Sequence, residues 1–334
     1  MTNGGGTQTL LRIKDLQAWL PTNRGLVRAV DKVSFSLNQG RTLAIVGESG
    51  CGKSMLARAI LGLLPPTAII SAESIVEFEG QNLIKTPKTQ MRRIIGREIA
   101  LIFQDPMTSL NPVMKVGHQV AEVIRYHLRT SRQTARKRAL ALLDLVGIPM
   151  AAHRAAQYPH QLSGGLRQRV AIAIALACEP KLLIADEPTT ALDVTVQAAI
   201  LDLLVELQQE TEMSMILITH DLGVVAGRTH ETAVMYAGKI VEHSSTSELF
   251  NGMRMPYTRA LMEAIPHLSN RPHTVLKAIN GQPPDLAHLP TGCRFAPRCR
   301  KMRDLCTQRE PELRDINNCG HRLACWYPLN RKEI

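Results

Sequence analysis

The feature that most constrains this chain is a glycine-rich octapeptide between a buried apolar run and a helical pattern. Residues 47–54 have the sequence GESGCGKS and fit G-x-x-x-x-G-K-[ST]. The apolar run 43–46 predicts a strand before the loop, and Lys53 to Leu64 predict a helix after it. A phosphate-binding P-loop needs this strand-loop-helix context, and a chance glycine-rich turn does not account for the lysine, the hydroxyl and the flanking elements together. We therefore expect the chain to bind a nucleoside triphosphate.

The chemistry of the loop follows from its residue types. Successive backbone N–H groups can surround phosphate oxygens, and the helix N-terminus adds its positive dipole end. Lys53 can reach the β- and γ-phosphates as a catalytic cation, and the Ser54 hydroxyl can join a Mg²⁺ shell. The other expected nucleotide-binding residues are those of the loop itself: Gly47, Glu48, Ser49, Gly50, Cys51 and Gly52.

A second apolar run, 181–185, predicts a strand that ends in two acids, Asp186 and Glu187. A carboxylate at the carboxyl end of a strand beside a P-loop can hold Mg²⁺, the role expected of Asp186. Glu187 can polarise the attacking water as the general base. Two acids that end an apolar strand can also be a solvated turn, but the P-loop upstream favours the catalytic interpretation.

Between these sites, Ser163, Gly164 and Gly165 open a predicted helix that runs through Val170 and Leu176. Such a start offers unpaired N–H groups, a serine donor and a positive dipole end, and so forms a second anion site. Taken alone, Ser-Gly-Gly is a common helix entry.

In their order and spacing these motifs resemble the nucleotide-binding subunit of an ABC transporter. The resemblance implies ATP and Mg²⁺ as ligands and places Gln104 in the Q-loop, which contacts Mg²⁺ and the membrane partner. Residues 162–166 resemble the signature motif, with Leu166 where glutamine is usual. In this family two ATPase subunits pair head to tail, so Ser163, Gly164 and Gly165 would act in trans on ATP in the partner's P-loop.

Three further residues acquire roles from the same resemblance. Asp193, in Ala191-Leu192-Asp193, matches the D-loop. His220 matches the switch histidine that contacts the γ-phosphate, although a histidine at a strand end can also be structural. The adenine-stacking aromatic of the family aligns with Leu20, so the neighbouring Trp19 is the candidate for that contact.

The overall pattern predicts an α/β fold, a P-loop ABC-type ATPase with an antiparallel β lobe, a helical lobe and a small cysteine-rich C-terminal extension. Short β-type runs occupy residues 10–46, and a helical period extends from Val116 to about Gly147. Strands return at 182–185, 215–219 and 233–235. The expected domains are a nucleotide-binding domain over 8–265, with its helical lobe at about 110–165, and the extension over 266–334.

Composition limits where such a protein can work. No stretch approaches the roughly 18 to 20 apolar residues of a membrane span, and the polar N-terminus predicts no secretory signal. We expect a peripheral subunit on the cytoplasmic face of the inner or plasma membrane. The formal charge of +11 is dispersed and accompanies no nucleic-acid motif. We interpret this charge first as that of a solvated surface and second as a sign that the protein lies near a membrane. We expect no nucleic-acid partner.

Five of the seven cysteines fall in the last 42 residues. A reducing cytoplasm disfavours disulfides, so the cluster suggests metal ligation. The spacing C-x5-C-x6-C lacks the close pairs of most zinc modules, although zinc remains possible and unligated thiols are the alternative. The five are Cys293, Cys299, Cys306, Cys319 and Cys325.

This tail, with Pro256–Leu261, resembles the C-terminal extension of dipeptide and oligopeptide importer ATPases. The resemblance rests on residues 292–299, on Cys306, and on the Cys-Trp-Tyr-Pro that begins at Cys325. Some members carry a [4Fe-4S] cluster on four such cysteines, which implies Cys293, Cys299, Cys306 and Cys325 as ligands, with Zn²⁺ as the alternative. Cys319 has no counterpart in the pattern.

The resemblance implies an ATP-hydrolysing subunit of a bacterial importer for di- or oligopeptides. The implied partners are a second ATPase subunit, expected to be a paralogue, two transmembrane permease subunits and, indirectly, an extracytoplasmic peptide-binding protein. The same role for nickel or another small solute is the nearest alternative. A non-transport ABC ATPase acting on DNA or ribosomes is less favoured, because the chain has one cassette with a short insertion. A P-loop kinase would leave residues 163–165 and the tail unexplained.

Overall fold

A computed structural model describes residues 8–105, 109–190, 192–265, 279–316 and 320–330. The chain forms two compact units. The unit that contains the P-loop, called the P-loop unit, comprises Thr9–Leu37, Thr42–Ile84 and the chain from Thr219 onward. The other, called the helical unit, contains Asn38–Arg41 and Lys85–Ile218. No helix in the described ranges combines the length and apolar character needed to span a bilayer.

Thirteen strands and ten α-helices make up the regular structure of the described residues. The strands are β1 (Thr9–Thr22), β2 (Gly25–Asn38), β3 (Thr42–Val46), β4 (Ile69–Ile70), β5 (Ile75–Phe78), β6 (Gln81–Asn82), β7 (Ile99–Ile102), β8 (Leu182–Asp186), β9 (Ser214–Thr219), β10 (Glu231–Tyr236), β11 (Lys239–Ser245), β12 (Arg314–Asp315) and β13 (Arg322–Leu323). The helices are α1 (Lys53–Ile60), α2 (Lys88–Ile94), α3 (Val116–Leu128), α4 (Arg132–Leu145), α5 (Ala151–Arg154), α6 (Gly164–Leu176), α7 (Val194–Thr211), α8 (Thr246–Gly252), α9 (Pro256–Glu263) and α10 (Asp304–Gln308).

The antiparallel sheet of the P-loop unit has the order β2-β1-β5-β6, with β4 also paired to β1. The sequence predicts several short runs here, whereas the structure has two continuous strands of 14 residues each. The sequence pattern predicted two runs where β2 is one strand, because the polar Asp31 interrupts the apolar residues. In the structure Asp31 lies inside the strand and is buried. The predicted antiparallel lobe is present, with longer strands.

A second set of strands in the P-loop unit has the order β12-β13-β11-β10-β3. β3 and β10 are parallel, and the other neighbours pair antiparallel. The core beside them contains Val46 and Val234 from these strands and Tyr257 from α9. Phe295 and Leu323 join it from the described residues 279–316 and 320–330, called the C-terminal region. The C-terminal region therefore packs into the same core as the strand that leads into the P-loop.

The helical unit contains three parallel strands in the order β9-β8-β7, together with α3, α4 and α6, which pack on one another. The single helical stretch expected from Val116 to Gly147 is in fact two helices. Arg129 ends α3 in a left-handed conformation with φ 52°, and the Ser131 side chain caps α4 by accepting from the Thr134 N–H. The break falls within residues 129–134, which are all polar, and Ser131 of this run supplies the cap.

One buried ion network connects the C-terminal region to β2. Arg294 is ion-paired with Asp31, and its Nε donates to Glu310 at 2.8 Å. Both Arg294 and Asp31 are less than a tenth exposed. Burial alone would raise the pKa of Asp31, but the hydrogen bond and charge of Arg294 hold it below its usual value. Removal of Arg294 would leave the buried Asp31 carboxylate without the cation that is ion-paired with it.

We predict that Arg294→Met lowers the free energy of unfolding by about 3–5 kcal/mol, the usual cost of removing one partner of a buried ion pair. Urea denaturation of the full chain measures this. The matched control is Arg314→Gln, which removes an exposed ion pair with Glu312 and should cost less than about 1 kcal/mol. Equal effects of the two substitutions would contradict the role assigned to Arg294.

Candidate functional site

The P-loop lies between β3 and α1, as the sequence predicts. Its turn into the helix is made by Gly52, which has φ 110° and serves as the N-cap of α1. A Cβ added at Gly52 would lie 2.0 Å from the carbonyl oxygen of Ala29, closer than any real contact. The loop therefore reaches its shape only with glycine here, and the N-terminus of α1 is directed as an anion site requires.

Lys53 is buried and folds back over the loop. Its Nζ donates to the carbonyl oxygens of Gly47 at 2.8 Å and of Glu48 at 3.1 Å. Cys51 is also buried and faces Gly47, 4.0 Å from Lys53 Nζ. Burial raises the pKa of the Cys51 thiol. The loop combines a fixed cation with backbone amides, an arrangement suited to a polyphosphate.

Glu48 is held at both its backbone and its side chain. Its N–H donates to the Tyr257 hydroxyl at 2.9 Å, and its carboxylate is bonded by both terminal nitrogens of Arg298 at 2.6 and 2.9 Å. Sequence reasoning did not identify Tyr257 or Arg298 as part of this region. The only signal for them was position, since Tyr257 lies in the segment that opens the extension and Arg298 precedes Cys299.

In the helical unit, Asp186 and Glu187 follow the last apolar residue of β8, and both are buried. Glu187 adopts a left-handed conformation with φ 46°, and its N–H donates to the Ile218 carbonyl at 2.9 Å. Its Oε2 accepts from Gln104 Nε2 and from Thr190 Oγ1, each at 3.0 Å. The structure thus brings Gln104 and Thr190, two residues from different segments, onto the Glu187 carboxylate. A left-handed glutamate costs about 1 kcal/mol or more and is typical of functional positions.

The signature and D-loop residues lie next to each other in the helical unit. Ser163 caps α6 by accepting from the Leu166 N–H, and Asp193 caps α7 by accepting from the Val196 N–H at 2.9 Å. The hydrogen bond from the Thr195 hydroxyl, and then the one from the Val196 amide, lower the pKa of Asp193. The N-termini of α6 and α7, each with a polar cap, therefore lie close to each other. Ala191 lies outside the described residues.

His220 and Trp19 are the remaining two candidate site residues. His220 is exposed and directly follows β9. Trp19 is half-buried on β1, and the guanidinium carbon of Arg28 lies 5.5 Å from the centre of its ring. A cation therefore lies over one face of the Trp19 ring.

The four expected metal ligands, Cys293, Cys299, Cys306 and Cys325, are free thiols in the C-terminal region. Burial raises the pKa of Cys293 to about 11 and of Cys325 to about 12, and nearby thiols among the four add to both shifts. Cys293 and Cys306 are also joined directly, by a 2.7 Å hydrogen bond from the Cys293 N–H to the Cys306 carbonyl. Four soft donors thus share one region, a set that suits iron–sulfur or zinc chemistry.

These thiols do not form a ready metal centre. Among the described residues, no group of three or more histidine, cysteine, aspartate or glutamate side chains is arranged to hold a metal ion. The expected four-cysteine centre is therefore not preformed in this structure. Cys319 lies outside the described residues.

Comparison with known protein families gives two matches along the chain. The ABC transporter family matches residues 30–190, and the oligopeptide/dipeptide transporter C-terminal region matches residues 241–306. The chain is 47% identical over 326 residues to the dipeptide transport ATP-binding protein DppD of Bacillus subtilis, covering 98% of this chain and 97% of that protein. It is 49% identical over 317 residues to the oligopeptide transport ATP-binding protein OppD of the same organism, covering 95% and 88%.

A solved structure supports the fold. The ATP-binding cassette MJ0796, solved as a dimer in a post-hydrolysis state with ADP and Pi, aligns with a TM-score of 0.64 and 28% identity over 71% of this chain and 99% of that one. The fold and the motifs define an ABC-type ATPase. The chain belongs to the ABC transporter family, in the branch whose members carry the oligopeptide/dipeptide transporter C-terminal region.

The two signature glycines give a matched steric prediction. A Cβ at Gly165 would lie 2.8 Å from Val196 Cγ1, whereas a Cβ at Gly164 would lie 3.4 Å from Leu192 Cδ2, an ordinary contact. Both alanine substitutions gain the same helix propensity, so their difference isolates the clash. We expect Gly165→Ala to be less stable than Gly164→Ala by about 1–3 kcal/mol in urea denaturation. Equal stabilities would show that Val196 moves aside without cost.

Proposed function

We propose that this chain is the ATP-hydrolysing subunit of a bacterial ABC importer that takes up di- and oligopeptides. The observation that carries the proposal is the joint match of residues 30–190 to the ABC transporter family and of residues 241–306 to the oligopeptide/dipeptide transporter C-terminal region. The near-full-length similarity to dipeptide and oligopeptide transport ATP-binding proteins supports the same substrate class. Uptake of nickel or another small solute is the alternative that the experiment below separates.

In the proposed mechanism the P-loop residues Gly47–Ser54 bind the phosphates of ATP, and Lys53 contacts the β- and γ-phosphates. Ser54, Asp186 and Gln104 would hold Mg²⁺, which would neutralise phosphate charge when bound. Glu187 takes the proton of the attacking water, and its hydrogen bonds with Gln104 and Thr190 support this role by fixing the carboxylate. His220 contacts the γ-phosphate, and Trp19 contacts the adenine ring.

The signature residues Ser163, Gly164 and Gly165, with Asp193 of the D-loop, act on ATP bound by a second ATPase subunit, which we infer to be a paralogue. Two transmembrane permease subunits provide the path, and an extracytoplasmic peptide-binding protein delivers the substrate. The chain then works as a peripheral subunit on the cytoplasmic face of the membrane. We assign the nucleotide-binding domain to 8–265, its helical lobe to about 110–165, and the extension to 266–334.

The function is tested with the assembled importer in proteoliposomes, supplied with ATP on the side of the ATPase. We predict ATP-driven uptake of labelled di- or oligopeptide, and Glu187→Gln should lower both ATP hydrolysis and uptake by roughly two to four orders of magnitude while ATP still binds. Glu210→Gln, an exposed substitution in α7, is the matched control and should leave both rates unchanged.

Near-normal hydrolysis by Glu187→Gln would mean that Glu187 is not the base. ATP-driven uptake of Ni²⁺ without uptake of any peptide would instead establish the nickel alternative.

We further propose that Cys293, Cys299, Cys306 and Cys325 hold a [4Fe-4S] cluster, with Zn²⁺ as the alternative. The shared region of the four thiols supports this, and metal binding would displace protons because the thiolate form is the ligand. We predict about four irons per chain after anaerobic purification, measured by metal analysis and visible absorption. Cys299→Ser should lose the iron, and the control Cys319→Ser should keep it. Colourless protein with about one zinc per chain would support the zinc site.

A further inference from the structure

Glu48 of the P-loop is the point at which the C-terminal region meets the nucleotide site. Its N–H donates to Tyr257, its carboxylate binds Arg298, and its carbonyl accepts from Lys53 Nζ at 3.1 Å. Tyr257 of α9 and Arg298 of the C-terminal region both lie within residues 241–306, the range that matches the oligopeptide/dipeptide transporter family model. One residue of the loop is thus bonded to the catalytic lysine on one side and to that region on the other.

Arg298 is itself held rigidly. Its side chain is only 4% exposed, and its Nε donates to the Asn280 carbonyl at 3.0 Å. Its Nη1 donates to the Tyr236 hydroxyl at 3.2 Å, and its Nη2 to the Ile279 carbonyl at 3.3 Å. An exposed arginine loses side-chain entropy when it forms an ion pair, which weakens most surface pairs. Packing has already fixed Arg298, so its two parallel bonds to Glu48 define a position and an angle.

The geometry points to Arg298 as a positioning residue for ATP binding. It does not reach the nucleotide; it holds Glu48, and through Glu48 the loop and Lys53, in the shape that accepts the phosphates. The C-terminal region is thereby a structural part of the nucleotide site. This inference rests on the proposed binding of ATP by the P-loop.

A purely stabilising role and a purely electrostatic role for Arg298 predict different results from a positioning role. If Arg298 only stabilised the C-terminal region, its loss would lower stability without acting through Glu48. If its positive charge simply attracted ATP, Arg298→Gln would weaken binding but Glu48→Gln would strengthen it, because the two substitutions change the local charge in opposite directions. Positioning predicts that both substitutions weaken binding, because either one breaks the same pair.

The test is an equilibrium titration of the purified full chain with a fluorescent ATP analogue. We expect Arg298→Gln and Glu48→Gln each to raise the Kd about tenfold, a size typical of hydrogen bonds between charged groups. The double variant should bind no more weakly than either single variant. Arg298→Lys, which keeps the charge but loses the paired geometry, should fall between wild type and Arg298→Gln. Arg300→Gln, an exposed neighbour beyond Cys299, is the matched control and should bind as wild type does.

Wild-type affinity in Arg298→Gln, a tighter Glu48→Gln, or additive losses in the double variant would each overturn the inference. Failure of the wild-type chain itself to bind the analogue would count against the proposed function instead. Urea denaturation without nucleotide identifies any variant that does not fold. If Arg298→Gln is such a variant, Glu48→Gln decides the matter, because it leaves the C-terminal sequence intact.

Discussion

A loop that binds polyphosphate through backbone amides must keep several N–H groups pointing in the same direction. Because these N–H dipoles repel one another, the loop needs contacts with the rest of the protein to keep that conformation. In the P-loop unit this support is a short chain of main-chain hydrogen bonds. The Gly238 N–H donates to the Cys51 carbonyl at 2.8 Å, and the Gly238 carbonyl accepts from the Asp31 N–H at 2.9 Å. The loop is thereby joined to the turn between β10 and β11 and to β2. A Cβ at Gly238 would lie 2.6 Å from the carbonyl oxygen of Arg28, and φ there is 88°, so this position needs glycine.

The C-terminal region continues the same support. Arg294 reaches Asp31, and Phe295 packs its ring 5.3 Å from those of Tyr236 and Tyr257 in the shared core. β13 adds to the edge of β11, and the Ala324 N–H donates to the Val241 carbonyl at 2.9 Å. These contacts make the C-terminal region part of the body that carries the P-loop, whatever metal its thiols hold. A substitution in the C-terminal region can therefore alter the P-loop through these packing contacts and hydrogen bonds.

The sequence predicted those parts of the site that depend on local pattern. The P-loop, the acids at the end of β8 and the serine cap of α6 each combine an apolar run with specific polar residues, and each lies where it was expected. The hydrogen bond between Glu187 and Gln104 was not among the sequence expectations, which gave Gln104 a role toward Mg²⁺ and the membrane partner. The single expected helix missed the break between α3 and α4, where residues 129–134 are all polar and the backbone at Arg129 is left-handed.

Long-range contacts were beyond the sequence for a different reason. Arg298 and Glu48 are 250 positions apart, and nothing in either segment encodes that they meet. The sequence did not predict Thr190 as a site residue, because a threonine shortly after two acids matches no specific motif. Its role follows only from the hydrogen bond that its hydroxyl donates to Glu187. The cysteine spacing located four thiols in one region, but the spacing alone did not determine their arrangement.

The central claim is that the P-loop unit, including its C-terminal region, is one cooperative body. Native-state hydrogen exchange of the full chain at rising, sub-denaturing urea tests this most directly. We expect the Ala324 and Cys293 amides of the C-terminal region to open with the same free energy as the amides of β3 and β10, because they share a core. Opening of the C-terminal amides at a clearly lower free energy, while β3 and β10 remain protected, would contradict it.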